Sequence, residues 1–216
     1  MSVRDRRVQY ETAGLERSDL NDDPIAQWHV WYEQAASAGV AEPNAMTVST
    51  IDQDGAPDSR VVLARAVDAR GFVFYTNYDS AKSRQLLLAP IASAVFAWLD
   101  LHRQVRVRGT VQRCADKESD DYFASRPRES QIGAWASPQS QPIADRAFIE
   151  ARTAEFRAKF ENREVPRPPN WGGWCLSPHT IEFWQGRPSR LHDRFVYSLP
   201  APAEKSATWQ IQRLAP

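Results

Sequence analysis

The chain has 216 residues, 42% hydrophobic and 25% charged, which suffices for one ordinary globular domain with a sizeable core and requires no second domain. Lysine plus arginine and aspartate plus glutamate both number 27, so net charge gives no reason to expect a nucleic acid or an anionic membrane as partner, and any anion site has to be local. Cys114 and Cys175 supply neither a disulfide framework nor a metal spacing, no apolar run approaches the roughly 20 residues of a membrane span, and MSVRDRRVQYE lacks the apolar segment of a signal peptide, so a reducing, cytoplasmic setting is expected.

Residues 1–23 are polar and carry Arg4, Arg6, Arg7 and Tyr10, the composition of a mobile terminal segment. Asp22, Asp23 and Pro24 then form a helix start, Trp28, Trp31, Tyr32 and Ala35 recur on one helical face, and Gly39 ends the helix. Residues 46–51 and 59–67 read as strands around a turn at 52–55, and 71–77 as a third strand. Ser80 stands where a helix cap belongs, with Lys82 in the first turn and a stop at Pro90. Residues 92–99 are apolar enough for a buried strand, whereas 104–111 alternate, with Gln104, Arg106 and Arg108 opposite Val105 and Val107. Helices are expected over 116–125, broken at Pro127, and over 143–160, where Phe148, Phe156 and Phe160 keep helical spacing. Residues 165–170 form a rigid loop, followed by strands at 172–177, 181–185, 190–197 and 208–214.

Short strands joined by hairpin turns, with helices inserted rather than alternating, predict a mainly β, antiparallel barrel with peripheral helices. No phosphate-binding glycine loop and no internal repeat is present, and the histidines at 29, 102, 179 and 192 form no metal motif. Residues 181–195, IEFWQGRPSRLHDRF, are expected to form a hairpin whose second arm begins at Arg190. Alternation would then put Arg190, His192 and Arg194 on one face, and Leu191, Asp193 and Phe195 on the other. Two cations flanking an imidazole suit an anionic aromatic ligand, and equally describe a solvated basic strand edge.

Three further groups invite an anion. Lys82 at a helix start combines a cation with free amides, although a solvated lysine is the plainer reading. Arg60 and Arg65, five positions apart, fall on opposite strand faces unless a bulge intervenes. Tyr122, Arg126 and Ser130 meet one anion only if the chain bends at Pro127. Residues 131–141, QIGAWASPQSQ, are uncharged and rich in amides and small groups, suited to hydrogen bonding a heterocycle.

RVVL at Arg60, FYTN at Phe74, SRPRESQIGAWASPQS at Ser125, FWQG at Phe183 and RLHDR at Arg190 together resemble the pyridoxine/pyridoxamine 5'-phosphate oxidase family over nearly the whole chain. The resemblance implies an FMN-binding split β-barrel, antiparallel and Greek-key-like, with residues 1–23 closing over the active site and 24–216 forming a single domain. It implies a homodimer with FMN between subunits, held by Arg60, Val61, Val62, Leu63, Tyr75, Thr76, Lys82, Gln104, Gln139, Ser140, Trp184 and Arg194. Substrate would be held by Arg7, Tyr10, Arg65, Tyr122, Arg126, Ser130, Arg190 and His192, with Arg190 and His192 catalytic and Arg190 covering the substrate ring. The implied reaction oxidises pyridoxamine or pyridoxine 5'-phosphate to pyridoxal 5'-phosphate with O2 as acceptor, yielding hydrogen peroxide. Ala81 and Arg65 depart from the commonest pattern, which has arginine and lysine there; the first removes one cation, the second changes reach. The alternatives are a split-barrel flavin oxidase for another aromatic substrate, such as a phenazine precursor, and a non-catalytic FMN or pyridoxal phosphate binding protein.

Overall fold

The computed structural model describes residues 10–200 and 208–216. Its elements run α1 (Pro24–Ser37), β1 (Ala45–Ile51), β2 (Pro57–Leu63), β3 (Ala66–Asp68), β4 (Gly71–Asn77), α2 (Ala81–Leu88), β5 (Ile91–Trp98) and β6 (Arg103–Arg113). They continue with α3 (Asp116–Ser125), α4 (Arg128–Ala136), α5 (Arg146–Lys159), β7 (Trp171–Gln185), β8 (Asp193–Ser198) and β9 (Gln210–Leu214). Every strand pairing is antiparallel, in the order β2-β1-β5-β6-β7-β4-β3, with β8 on β7 and β9 on β8.

Strand β7 makes this sheet curl. It pairs with β6 along its length, with β4 through its first half and with β8 through its second, so the sheet branches there into a half-barrel. Two strands were expected where β7 runs unbroken; a bulge at His179, where Arg108 faces Thr180 but Gly109 faces Pro178, carries the strand past its proline. The concave face holds the core. Val48, Phe72, Phe74, Ala94, Phe96, Val105, Val107, Ile181, Phe183 and Tyr197 are fully buried, and α1 lays Trp28, Trp31 and Ala35 on them. Asp23 caps that helix by accepting from the Ile25 N–H, with Pro24 behind it, as the sequence indicated.

Three other expectations need correction. The single strand over 59–67 is broken: β2 ends at Leu63, the Ala64 N–H turns to the Asn44 carbonyl, and Arg65 opens a separate pairing with Val73. Residues 128–136 are helical, closed between Pro127 and Ser137, where composition had suggested only hydrogen-bonding capacity. The second arm of the hairpin begins at Asp193, because Ser189 and Arg190 both take positive φ (58° and 65°) in a short turn. Arg190, His192 and Arg194 therefore do not share a strand face.

Candidate active site

A cavity of about 500 Å³ lies between β2, β4 and the α2 and α3 helices. Strand β2 gives it Arg60, Val61, Val62 and Leu63; β4 gives Tyr75 and Thr76; the first turn of α2 gives Lys82; and Arg65, Tyr122, Arg126, Gln139 and Trp171 complete the wall. The break after Leu63 puts Arg65 around the same space as Arg60, against the opposite-face expectation. Among the described residues, four cations and no carboxylate line the cavity.

The cations are not equivalent. Arg60 is fixed by an ion pair with Asp58 at 2.5 Å and by hydrogen bonds to Thr50 (2.6 Å) and Gln85 (3.1 Å). Lys82 Nζ donates to Thr76 Oγ1 and Gln139 Oε1, both at 3.2 Å, and forms no ion pair with a carboxylate among the described residues. Burial, then repulsion from Arg60, draws its pKa down to about 8. Tyr75, Tyr122 and Trp171 form an aromatic stack, with centroids 3.9 Å apart for the first pair and 5.6 Å for Tyr75 and Trp171.

Arg126 joins this cavity to an adjoining hollow of about 270 Å³ that contains Ser130, Asn77, Ser137 and Gln139. The chain does bend at Pro127, between α3 and α4, and that bend brings Arg126 and Ser130 together. The Arg126 guanidinium lies 4.6 Å over Trp171, and its Nη1 is buried without a hydrogen-bond partner among the described residues. Burial, reinforced by Arg65, disfavours its charge. A buried, unsatisfied guanidinium nitrogen in a cavity free of carboxylates is a group waiting for an anion. Phosphate esters fit this donor set.

Gln104, Trp184 and Arg194 sit elsewhere, side by side across β6, β7 and β8 on the convex face. From Val61 on β2 to β8 is five strand steps, about 24 Å along the curved sheet. Arg194 grips the buried Glu182 with Nε at 3.0 Å and Nη2 at 3.1 Å, and Arg106 reaches the same carboxylate at 3.2 Å. His192 lies against Trp184, ring centroids 4.6 Å apart, and its Nδ1 accepts the Arg187 N–H at 3.1 Å. Burial, then Arg190, lowers its pKa, so the ring is neutral near pH 7. Tyr10 stacks on His102 at 4.1 Å and approaches His192 at 5.9 Å.

The predicted site residues thus form two clusters that one chain does not bring together. Ser140 follows Gln139 on an exposed loop with φ 66° and is outside the cavity wall; Arg7 lies outside the described residues. Sequence reasoning missed Trp171 and Asn77, which line the hollow, and the Asp58, Thr50 and Gln85 set that fixes Arg60. Trp171 carries no pattern signal, while Asp58, two residues before Arg60 in β2, lay within reach of a strand-face argument. Among the described residues no helix is long and apolar enough to cross a membrane, and no cluster of metal-ligating side chains occurs.

The family model described as Pyridoxamine 5'-phosphate oxidase matches residues 32–160, and that of the Pyridoxine 5'-phosphate oxidase C-terminal dimerisation region matches 171–216. A pyridoxine/pyridoxamine 5'-phosphate oxidase of Synechocystis sp. is 52% identical over 216 residues, covering 100% of this chain and 99% of the relative. One from Burkholderia thailandensis is 51% identical over 215 residues, with the same coverage of 100% and 99%. Among solved structures, PhzG from Burkholderia lata, in complex with tetrahydrophenazine-1-carboxylic acid, superposes with a TM-score of 0.87 at 30% identity, over 97% of this chain and 100% of that one. A pyridoxamine 5'-phosphate oxidase-related, FMN binding protein from Nostoc punctiforme shares the fold at a TM-score of 0.67 and 16% identity, over 88% of this chain and 97% of that one. Matched across both its halves by the family models and half-identical over its whole length to such relatives, the chain belongs to the pyridoxine/pyridoxamine 5'-phosphate oxidase family of oxidoreductases.

Proposed function

We propose that the protein is an FMN-dependent oxidase that converts pyridoxamine 5'-phosphate and pyridoxine 5'-phosphate to pyridoxal 5'-phosphate, using O2. The observation that carries this reading is the cavity with four cations, no carboxylate and the orphaned Arg126 Nη1, which suits two phosphate esters, one on the cofactor and one on the substrate. FMN, when bound, supplies the two-electron acceptor that O2 regenerates with release of hydrogen peroxide. The alcohol gives the aldehyde directly by losing two electrons and two protons; the amine gives an imine, which water hydrolyses to the aldehyde and ammonia.

The chain's part is binding and orientation. Arg60, Lys82, Thr76 and Gln139 would hold the cofactor phosphate, with Val61, Val62, Leu63 and Tyr75 beside it. Arg65, Tyr122, Arg126 and Ser130 would hold the substrate phosphate. Because the Arg187 N–H donates to His192 Nδ1, the neutral imidazole keeps its proton on Nε2 and offers a donor to the substrate, with Arg190 and Tyr10 around it. Gln104, Trp184 and Arg194 lie too far along the sheet to join the same chain's cavity, so the complete site would form between the two subunits of a homodimer, in keeping with the dimerisation region matched at 171–216.

The likeness to PhzG keeps a second reading open, oxidation of a phenazine precursor. The phosphate requirement separates the two, since a tricyclic carboxylate has no use for both Arg65 and Arg126. Purified protein should show a flavin spectrum that bleaches on anaerobic addition of pyridoxamine 5'-phosphate and recovers in air with peroxide release. A flavin that stays oxidised with that substrate would overturn the reading, and tight binding without bleaching would make the protein a carrier.

A further inference from the structure

Residues 10–16 cross the end of the curled sheet and are fastened there by a set of contacts that no substrate or cofactor assignment uses. Asp193, next to His192 in the chain, accepts the Leu15 N–H on Oδ2 at 3.0 Å and pairs through Oδ1 with Arg213 at 2.8 Å. Arg213 in turn donates to the Leu15 carbonyl at 3.0 Å and to Glu16 Oε2 at 2.5 Å, and its guanidinium lies 4.6 Å over Phe195. Arg187, 3.7 Å from Asp193, donates to the Thr12 carbonyl at 3.2 Å, and the Thr12 hydroxyl reaches the Gly186 carbonyl. Leu15 is only 4% exposed.

These contacts aim Tyr10. A Cβ on Gly186 would meet Tyr10 Cδ2 at 2.5 Å and His102 Cβ at 2.9 Å, so the ring is seated directly on the turn that carries Arg190 and His192. Asp193 accepts from the strap, pairs with the arginine of that turn and pairs with the arginine of β9, three attachments in one carboxylate that is 13% exposed. We propose that Asp193, with Arg187 and Arg213, is a positioning residue that fastens residues 10–16 onto the 186–192 turn and thereby holds Tyr10 against His192 over bound substrate. The fastening is read from contacts alone; its consequence for substrate rests on the oxidase reading above.

Two measurements on the full-length, flavin-loaded protein test it. In Asp193→Ala, hydrogen exchange over residues 10–16 should quicken at least about tenfold, the loss expected when a charge-assisted hydrogen bond goes, while exchange in β6 and β7 stays as in the wild type. KM for pyridoxamine 5'-phosphate should rise about tenfold with kcat little changed and flavin retained, Asp193→Asn should lie between, and adding Tyr10→Ala to Asp193→Ala should cost almost nothing more, because both act through one ring. Unchanged exchange in residues 10–16, exchange quickened equally throughout, or effects of Asp193→Ala and Tyr10→Ala that multiply would each overturn the proposal. If the wild type does not oxidise pyridoxamine 5'-phosphate, the oxidase reading fails, and the exchange comparison alone decides whether Asp193 fastens the strap.

Discussion

Lys82 faces two opposing demands: the folded chain buries its ammonium beside Arg60, while a phosphate needs that charge. Its pKa of about 8 in the fold lies below the 10.5 of a free lysine, so between those values the unfolded chain binds more protons than the folded one. Stability of the flavin-free protein should therefore rise with pH across that window. Flavin affinity should do the reverse, falling about tenfold per pH unit above 8 as a proton must be taken up on binding. Melting of stripped protein and fluorescence titration with FMN from pH 7 to 10 read the two slopes, and flat affinity would remove Lys82 from the phosphate site. Arg126→Ala should lower kcat/KM for pyridoxamine 5'-phosphate about tenfold to a hundredfold, the size of a lost hydrogen bond to a charged group, and leave unphosphorylated pyridoxamine nearly unaffected. Arg65→Lys should change little. At this scale the sequence picked out the four cations that line the cavity but not their partners: nothing in the spacing of Arg60 and Gln85, 25 positions apart, announces their contact.

Among the elements, expectations held where a periodic signal met a clear boundary and failed where backbone geometry decided. Helix α1 has both its stripe and its cap, and β6 alternates buried and exposed as its residues do. The β2–β3 break, the His179 bulge and the left-handed Ser189 and Arg190 leave no mark in hydrophobicity, because each is a choice of φ and ψ set by distant pairing. Helix α4 was hidden by its own composition, which drew attention to hydrogen-bonding groups and away from the buried Gln131, Ile132 and Ala136. Two glycines test the packing that results. A Cβ at Gly109 would stand 2.0 Å from the Ser177 carbonyl oxygen on the bulged strand, and backbone there has nowhere to go. Gly109→Ala should destabilise by about 2–3 kcal/mol. In α4, Gly133 meets nothing within 4 Å, so Gly133→Ala should stabilise by about 0.5–1 kcal/mol through helix propensity alone. Chemical denaturation of both variants, with unchanged slopes, checks the pair.

For the whole molecule, the barrel and its antiparallel character were legible from strand lengths and turns, but the division of the site into two clusters was not, because it is a property of the curled sheet. That division makes an assembly argument. The convex face from β2 to β8 exposes Val61 at 67%, while Leu99 and Leu191 are 76% and 68% exposed, a loss for an isolated chain and a gain if a second copy covers them. In such a dimer the Gln104, Trp184 and Arg194 cluster of one subunit would close the cation-lined cavity of the other, and flavin binding would be linked to association. Light scattering of the loaded protein should give about twice the 24.5 kDa chain mass. Stripping the flavin should weaken the dimer, and dilution of the loaded protein should release flavin and dissociate subunits over the same concentration range, with excess FMN shifting both midpoints together. Replacing the convex-face Ala97 by Glu should lower both midpoints without unfolding the monomer, since Ala97 is exposed on β5 directly opposite Gln104 and supports none of the core. A monomer that holds FMN as tightly as the dimer would show that each chain completes its own site, and Gln104, Trp184 and Arg194 would then have no part in holding the cofactor.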